Sequence, residues 1–499
     1  MPEPAAGAYR LKLADENATA RFAEDVAAIL RPGDLVGLSG GLGAGKTTFA
    51  RALIRALAAD PGYEVPSPTF PLRIDHALPW LKVVHADLYR LAAAGELDEI
   101  GLEEALADSA VLVEWPERLP PDLSGERLDL AFALDGDGRR VDISTAGTWP
   151  ARLRRSFEIR AFLDRAGLAG ATRLPLAGDA SSRAYERIVG GREGAILMNA
   201  PARQEGPPLA AGRSYDAIAR RALDVRPFVA VDLALREAGI RVPKIQATDL
   251  GSGLLLLEDL GSERIVDGAG GPMIERYEAA TDLLVFMHGR QWPAEIPLPD
   301  GERYTLPPYD RDALLIEISL FPDWFGGHGG EPAFPPEQRE PFLSAWSDVL
   351  DRLDPSATLV MRDFHSPNIL WQADAEGIGR VGVIDFQDAL IGHPAYDVAS
   401  LAQDARVPLS EDAEKGLKAR YAAGRRADDP AFDDEAFEAA YAVLGLQRAT
   451  KVLGIFTRLA LAEGKSGYQR HRQRLKALIR RNLSHPVLSG LRLWYEPYI

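Results

Sequence analysis

The segment LVMRDFHSPNILW, residues 359–371, places Asp363 five residues before Asn368. An aspartate in such a loop can accept the proton of an attacking hydroxyl group, while the asparagine ligates magnesium. The chemistry also needs a second metal-binding acid on a following strand, and Asp385 ends the apolar run VGVID. The three residues together predict a phosphotransferase site that uses ATP and Mg²⁺.

A different phosphate-binding pattern lies near the start of the chain, in SGGLGAGKTTFA at residues 39–50. Gly40 is followed after four residues by Gly45, Lys46 and Thr47, which fits the P-loop pattern. The glycines let backbone N–H groups turn towards an anion, Lys46 reaches the β- and γ-phosphates, and Thr47 can ligate magnesium. The pattern follows an apolar strand and opens a helical segment, which is the context that a P-loop requires.

An NTPase also needs acids that hold the metal ion and position water. Asp87 ends the segment LKVVHAD and Glu114 ends VLVE, each at the end of an expected strand. One carboxylate at a strand end is often only a solvated cap. Two of them after a P-loop in one short α/β domain predict a metal and hydrolysis site.

The composition limits the class of protein. With 499 residues, two or three domains are expected. The absence of cysteine excludes disulfides, thiolate zinc sites and cysteine nucleophiles. A formal net charge of −16 argues against direct nucleic acid binding, and we interpret the basic run at residues 468–482 as the solvated face of a helix. The chain shows no membrane-spanning apolar run and its opening lacks a secretory pattern, so we expect a cytoplasmic protein without membrane contact.

Alternating strands and helices over the first 150 residues predict an α/β fold. Helices are expected in ENATARFAEDVAAIL and KTTFARALIRALAAD, strands in LVGLS, LKVVHADLY and VLVEW, and a hairpin in ERLDLAFAL and RRVDIST. The segment STAGTWP is expected to join this domain, residues 1–148, to a second domain, residues 149–499. In the second domain a small lobe of strands, about residues 170–260, should precede a mostly helical lobe, residues 261–499.

The first domain resembles the TsaE family of P-loop ATPases, which serve bacterial tRNA threonylcarbamoyladenosine synthesis. The resemblance depends on five motifs in order: GLGAGKTTF, PSPTF, HADLYRL, GLEEAL and VEWPE. It implies that Thr69 occupies a switch-like position, that Asp87 and Glu114 serve the metal ion and hydrolysis, and that Trp115 lies beside the nucleotide. It also implies nucleotide contacts along the loop, at Gly40, Gly43, Ala44, Gly45, Lys46, Thr47 and Thr48.

Members of that family act on a partner complex and hydrolyse ATP weakly alone. No obvious arginine finger appears in the first domain of this chain. We therefore expect its hydrolysis to be stimulated by tRNA-modification partner proteins of the threonylcarbamoyl-transferase complex.

The second domain resembles the aminoglycoside-phosphotransferase superfamily, a two-lobed, kinase-like α+β fold. Within it, the AmgK group of anomeric N-acetylmuramate/N-acetylglucosamine kinases of cell-wall recycling is the nearer match. The resemblance depends on nine motifs in order: GDASSRAYERI, ILMNAP, GIRVPKI, LLLLEDLG, LFPDWF, RDFHSPNIL, VIDFQDA, YDVASL and QRATKVLGIFTRL. It implies that Glu258 to Leu260 form the hinge that meets adenine, that Asp363 is the catalytic base, and that Asn368 and Asp385 hold magnesium.

One position departs from general kinase chemistry. The strand GAILMNAP has Met198 and Asn199 where the phosphate-binding lysine is expected, and no lysine occurs between Lys82 and Lys244. A positive charge is still needed against the triphosphate, and the candidates are Arg183 and Arg187. Both could equally be surface charges of a hairpin. The loop before them would cover the phosphates through Ser181 and Ser182.

The sequence is less informative about the acceptor. Residues that could contact a sugar are Asp388, Tyr396, Gln447, Arg448 and Lys451, with Trp324 or Trp371 as a stacking platform. Gln447, Arg448 and Lys451 could equally form the polar side of a helix. His365 and His393 are expected to be hydrogen-bonding loop histidines rather than metal ligands.

Three alternatives stay open at this point. The second domain could phosphorylate a cationic amine, such as choline or an aminoglycoside. It could instead be a nucleotide-binding pseudokinase that regulates the first domain, which the missing lysine favours and the intact Asp363, Asn368 and Asp385 set opposes. The first domain could act only as a nucleotide-gated assembly factor. The sequence identifies neither the exact acceptor, nor communication between the sites, nor the oligomeric state.

Overall fold

The computed structural model describes residues 8–90, 100–120, 123–176, 183–191, 194–210, 212–326 and 332–499. The chain divides into two compact units, and each is described separately. The first comprises the residues up to Ala200 together with Gln246–Asp259, and the second comprises Pro201–Ile245 and Leu260–Ile499. Of the small lobe expected at about residues 170–260, the strands up to residue 200 and those in 246–259 thus belong to the same unit as the P-loop fold, and residues 201–245 belong to the second unit. The domain boundary at 148/149 stays a prediction.

The first unit is built on a seven-stranded sheet in the order β1-β7-β6-β2-β5-β4-β3. Its strands are β1 Ala8–Leu13, β2 Leu35–Ser39, β3 Arg73–Ala77, β4 Lys82–Asp87, β5 Ser109–Glu114, β6 Arg127–Asp135 and β7 Gly138–Thr145. The helices are α1 Glu16–Ala27, α2 Lys46–Ala58, the short α3 Leu102–Ala105 and α4 Trp149–Arg165. Strands β4, β5, β2 and β6 run parallel, so their carboxyl ends meet at one edge of the sheet.

The sequence explains this sheet. Strands β2, β4 and β5 are rich in valine, leucine and alanine and are buried at nearly every position, as expected of parallel strands covered on both faces. Phe22 of α1 and Phe49 of α2 pack within one buried cluster on one side of the sheet, with ring centroids 5.4 Å apart and ring planes tilted by 45°. The hairpin of β6 and β7 turns tightly between Asp135 and Gly138, as the DGDG segment predicts. Strands β1 and β3 had not been expected from the sequence.

A second sheet of the first unit has the antiparallel order β13-β14-β10-β9-β8. Its strands are β8 Thr172–Leu176, β9 Ala184–Val189, β10 Ala195–Asn199, β13 Ile245–Asp249 and β14 Leu254–Glu258. Helix α4 packs against both sheets of the unit. Its first turns, with Trp149 and Leu153, lie in the core of the seven-stranded sheet. Its last turns, with Ile159, Phe162 and Leu163, lie in the core of the five-stranded sheet.

Buried ion pairs also join the two sheets of this unit. Arg173 of β8, whose side chain is fully buried, donates to Asp25 of α1 at 2.7 Å and to Glu186 of β9 at 2.7 Å. Its Nη1 also donates to the hydroxyl of Ser156 in α4 at 2.8 Å. The P-loop fold and the five-stranded sheet are therefore connected by a charge network as well as by a shared helix.

The second unit is mostly helical. Its helices are α5 Tyr215–Ile218, α6 Arg226–Glu237, α7 Ile274–His288, α8 Arg311–Ile318, α9 Pro336–Leu350, α10 Ala395–Ala402, α11 Glu411–Asp428, α12 Asp434–Ala462, α13 Arg472–Leu483 and α14 Arg492–Tyr495. Short two-stranded ribbons connect them: β11 Pro208–Ala210 with β12 Arg213–Ser214, β15 Glu295–Pro297 with β16 Arg303–Thr305, β17 Thr358–Val360 with β20 Leu390–Gly392, and β18 Ile369–Trp371 with β19 Val381–Val383.

Two sequence expectations in this unit needed adjustment. The segment 201–213, expected to be a loop, contains a short ribbon at its end. The basic run at 468–482 is divided between a 3₁₀ segment, Ser466–His471, and helix α13. No helix within the described ranges combines the length and the apolar character that a bilayer crossing demands.

Candidate active sites

The P-loop lies between β2 and α2, at the carboxyl edge of the parallel strands. Gly40 and Gly45 have φ values of 124° and 115°, which residues with a side chain rarely adopt. A Cβ atom at Gly40 would lie 2.2 Å from the carbonyl oxygen of Phe132 on β6. Glycine is therefore required there both by conformation and by the close approach of two backbones.

Lys46 is buried, with 5% of its surface exposed, although it opens helix α2. Its Nζ donates to the carbonyl oxygens of Gly40 and Gly41 at 2.7 and 3.0 Å, and lies 4.1 Å from the centre of the Trp115 ring. Trp115 has a φ of 64°, a strained conformation for an aromatic residue. The structure thus brings together the lysine and the tryptophan that the sequence placed at the nucleotide.

The two strand-end acids meet beside this loop. Asp87 and Glu114 are direct partners in the parallel pair of β4 and β5, and both are buried. The hydroxyl of Thr47 donates to Glu114 at 2.8 Å, and the hydroxyl of Thr69 donates to Asp87 at 3.1 Å. Two carboxylates and a hydroxyl offer the hard oxygen ligands that Mg²⁺ prefers when nucleotide phosphates complete its shell. The donor set fits a magnesium–nucleotide site.

Two neighbours of this site had not been predicted. His85, fully buried on β4, contacts the second oxygen of Glu114 at 3.2 Å through its Nε2. Arg139 of β7 donates to the carbonyl oxygen of Gly43 at 3.4 Å. Arg139 belongs to a hairpin distant in sequence, so no local motif indicated it. Ala44 is buried behind the loop, and Thr48 is half-buried on the first turn of α2.

In the second unit, the loop after β17 carries the predicted base. Arg362 has a φ of 69°, so the chain turns sharply immediately before Asp363. The fully buried carboxylate of Asp397, at the start of α10, accepts from the backbone N–H groups of Met361 and Arg362 at 2.6 and 2.9 Å. The side chain of Asp363 stays 39% exposed and can therefore reach a substrate. Asp397 holds the strained backbone, a role that the motif YDVASL had not been assigned.

Asn368 and Asp385 lie together, as their spacing predicted. The Nδ2 of Asn368 donates to the backbone oxygen of Asp363 at 3.0 Å and contacts Asp385 at 3.4 Å. Gln387 donates to the other oxygen of Asp385 at 2.9 Å. In this arrangement the Nδ2 of Asn368 is used within the protein, which directs its carbonyl oxygen to a ligand. A carboxylate and an amide oxygen fit a magnesium ion that is shared with nucleotide phosphates.

A buried charge cluster lies behind the base. Glu317 of α8 pairs with Arg362 and, at 2.8 Å, with Lys451 of α12, while Gln447 donates to it at 3.1 Å. Burial would raise the pKa of Glu317, but the two cations lower it to about 2. Burial likewise opposes ionisation of Asp363, but the charges of Lys451 and Arg448 hold its pKa well below the ordinary value. Asp363 is therefore an ionised carboxylate at neutral pH.

The small-lobe residues that were expected to bind the ATP phosphates lie in the first unit. Met198 is buried in the sheet, and the Oδ1 of Asn199 accepts from Arg155 of α4 at 2.7 Å. Arg187 pairs with Asp259 at 2.9 Å, and its side chain is 40% exposed. Which arginine replaces the kinase lysine, Arg183 or Arg187, stays a prediction.

The hinge and the phosphate-covering loop can be placed only in part. Glu258 ends β14, and Leu260 is buried with its carbonyl oxygen accepting from Gln372 at 3.0 Å. Ser181 and Ser182 lie outside the described residues. Their predicted nucleotide contacts stay predictions.

The candidate acceptor contacts fall into two groups. Gln447 and Lys451 are buried on Glu317, so neither lies on a solvated helix face. Trp371 is buried, with Arg276 and Arg380 against its ring at 4.9 and 4.3 Å, and its role as a stacking platform stays a prediction. The second group consists of Asp388, Tyr396 and Trp324.

Among these, Asp388 accepts from the backbone of Ala222 at 2.6 Å, and buried Tyr396 stands beside Lys451 at 3.4 Å. Trp324 is half-buried. His393 contacts Asp354 at 2.9 Å, which confirms it as a hydrogen-bonding loop histidine. His365 lies 3.9 Å from Asp363, beyond hydrogen-bond distance.

Comparisons with known proteins divide the chain between residues 141 and 172, within the first compact unit. The family profile "Threonylcarbamoyl adenosine biosynthesis protein TsaE" matches residues 13–141, and the profile "Phosphotransferase enzyme family" matches residues 172–433. An N-acetylmuramate/N-acetylglucosamine kinase of Caulobacter vibrioides is 34% identical over 68% of this chain and 95% of that protein. The kinase of the same name from Pseudomonas aeruginosa is 34% identical over 59% of this chain and 79% of that protein. A tRNA threonylcarbamoyladenosine biosynthesis protein TsaE of Rickettsia bellii is 37% identical over 26% of this chain and 89% of that protein.

Proposed function

Because the chain belongs to the TsaE family through residues 13–141 and to the phosphotransferase enzyme family through residues 172–433, we propose that it carries two distinct activities. The first is ATP hydrolysis that supports threonylcarbamoylation of adenosine in tRNA. The second is ATP-dependent phosphorylation of the anomeric hydroxyl of N-acetylmuramate and N-acetylglucosamine in cell-wall recycling. Both use Mg·ATP, and we place the protein in the cytoplasm.

Support for the kinase activity comes from one observation above all. The Caulobacter vibrioides relative, whose name contains N-acetylmuramate and N-acetylglucosamine, is 34% identical to this chain across 95% of its own length. The residues of this chain that would perform the transfer are present, and hydrogen bonds hold their loop in place. Asp363 orients the acceptor hydroxyl and takes its proton as the sugar oxygen attacks the γ-phosphorus and the bond to ADP breaks. Its lowered pKa makes it a weak base, which suits a loose transition state in which the hydroxyl loses its proton late.

For the ATPase activity, Lys46 and the loop amides would neutralise the phosphates, and Thr47, Asp87 and Glu114 would serve the metal ion and the attacking water. In the structure Lys46 is bonded to its own loop and Thr47 to Glu114. Nucleotide binding has to replace these bonds, and this rearrangement offers a step at which threonylcarbamoyl-transferase partner proteins can act. No direct contact of this chain with tRNA is proposed.

The test is to separate the activities in the full-length protein. With γ-labelled ATP, Mg²⁺ and a panel of amino sugars, aminoglycosides and choline, Asp363→Asn should abolish transfer to sugar and leave ATP hydrolysis with partner proteins intact. Lys46→Ala should do the reverse. The exposed Asp374→Asn serves as the control for loss of an acid and should affect neither activity.

Transfer to an aminoglycoside or to choline, rather than to a reducing sugar, would refute the sugar-kinase assignment. No transfer at all would favour the pseudokinase alternative. Hydrolysis that partner proteins leave unchanged would contradict the role proposed for the first activity.

A further inference from the structure

Arg448 is an isolated cation inside the second unit. It lies in the middle of helix α12 and is only 5% exposed. Among the described residues its guanidinium makes no ion pair and no hydrogen bond, in contrast to the other buried arginines of the site, such as Arg362. Its donors therefore keep only slight access to water and have no acceptor in the described part of the chain, so they are available to an anion that arrives with a ligand.

The polar residues next to Arg448 on helix α12, Gln447 and Lys451, already have partners within the protein. Gln447 donates to Leu314 and Glu317 at 3.2 and 3.1 Å, and Lys451, one turn further along α12, pairs with Glu317 at 2.8 Å. These two side chains anchor the helix to the cluster behind the catalytic loop. Arg448, between them in sequence, is thereby fixed next to that loop while its own donors remain unused within the part of the chain that the structure describes.

The charge of Arg448 acts on the reacting end of the site. It is among the charges felt by Asp363 and by His365, yet it is not within ion-pair distance of either. Burial lowers the pKa of His365 to about 4, so the histidine is neutral at pH 7 and adds no competing cation.

Two anions enter this site: the transferring phosphoryl group and, for one of the two acceptors, a carboxylate. The metal ligands Asn368 and Asp385 are joined to each other, and magnesium held there would carry the phosphate charge. Arg448 bonds to neither of them and comes instead from the helix that packs behind Asp363, the residue that meets the acceptor. N-acetylmuramate differs from N-acetylglucosamine by a lactyl ether that ends in a carboxylate, and a guanidinium binds a carboxylate in a bidentate way.

We propose that Arg448 is a specificity-determining residue that binds the lactyl carboxylate of N-acetylmuramate and makes no essential contact with N-acetylglucosamine. This inference depends on the proposed sugar-kinase function and refines it. It explains how one site can accept an anionic and a neutral sugar: the cation is held by helix α12 through its neighbours, so it needs no acid partner that the carboxylate would have to displace.

The experiment compares steady-state kinetics of the full-length wild type, Arg448→Gln, Arg448→Lys and Arg420→Gln with three acceptors: N-acetylmuramate, its uncharged carboxamide and N-acetylglucosamine. Loss of a charge-assisted contact should raise the KM for N-acetylmuramate about 10- to 100-fold in Arg448→Gln. The KM for N-acetylglucosamine and for ATP should change less than about twofold, and Arg448→Lys should recover part of the loss. Arg420 pairs with Asp282 on the surface, so Arg420→Gln should behave as wild type.

The outcomes are distinct. Equal losses on both sugars, or a fall in kcat alone, would overturn the inference because Arg448 would then serve the phosphoryl group or Asp363. Unchanged kinetics on all three acceptors would overturn it as well. If Arg448→Gln fails to fold, the wild type alone decides, since it must prefer the acid to its carboxamide. A wild type that phosphorylates neither sugar would refute the proposed function itself.

Discussion

Replacement of Arg173 by methionine tests whether the P-loop fold and the five-stranded sheet are one cooperative unit. The substitution leaves Glu186 buried without its partner, whereas Asp25 keeps Arg160 at 2.8 Å. Removing one member of a buried ion pair costs about 3–5 kcal/mol. Since the loss at Asp25 is partly compensated, we expect the lower end, about 3 kcal/mol of unfolding free energy. Arg10→Met, which removes an exposed pair with Asp142, should cost at most about 1 kcal/mol.

Urea denaturation of the full-length protein measures both effects when it is followed by binding of a fluorescent ATP analogue to the P-loop and by a fluorophore on a single cysteine introduced at exposed Val189 of β9, since the chain has no cysteine of its own. In the wild type these two signals should change together, and in Arg173→Met they should separate. The double variant Arg173→Met/Glu186→Leu should recover at least half of the loss, because the orphaned acid is gone. An Arg173→Met protein that loses no more stability than Arg10→Met, or whose signals stay coincident, would refute the reasoning.

Three further substitutions test the sites themselves. Gly40→Ala should abolish ATP-analogue binding at the P-loop and cost about 1–3 kcal/mol in urea denaturation, whereas Gly41→Ala, with open space around it, should be tolerated. Asp397→Asn replaces one of the two carboxylate oxygens that accept from the backbone N–H groups before Asp363. The kcat for sugar phosphorylation should therefore fall about 10- to 100-fold while the KM for the sugar stays nearly unchanged. An unchanged kcat would contradict the role of Asp397. Burial raises the pKa of Asp232 to about 7. Its pKa in the folded protein exceeds that in the unfolded chain, so its ionisation lowers the stability of the fold as pH rises from about 4 through 7. Asp232→Asn should therefore stabilise the protein by up to about 4 kcal/mol at pH 8 and by little at pH 4, as measured by thermal unfolding.

The sequence predicted the chemistry at the strand ends better than it predicted what holds that chemistry in place. Lys46, Asp87 and Glu114 meet because parallel strands end at one edge of a sheet, which the order of motifs implies. Asp397 and Glu317 were missed because they act through distant backbone amides and buried cations, and no short spacing connects them to Asp363. The surroundings of Trp371 were not predictable for a related reason: an aromatic residue on an apolar strand gives no sign that two arginines, one of them nearly a hundred residues away, lie against its ring.

The two candidate sites differ in how far they are prepared for their ligands, and this difference bears on regulation. In the second unit the catalytic loop is fixed by fully buried acids: Asp397 on the amides before Asp363, and Asp404 on Ser366 after it, at 2.7 Å. A loop held in this way needs no further component to position the base. In the first unit Lys46 is bonded to the P-loop carbonyls and Thr47 to Glu114, so the groups that would meet the nucleotide are engaged with one another. The same chain should therefore contain a kinase that works unaided and an ATPase whose rate depends on a partner that breaks these hydrogen bonds. We expect partner proteins to accelerate ATP hydrolysis without changing the rate of sugar phosphorylation.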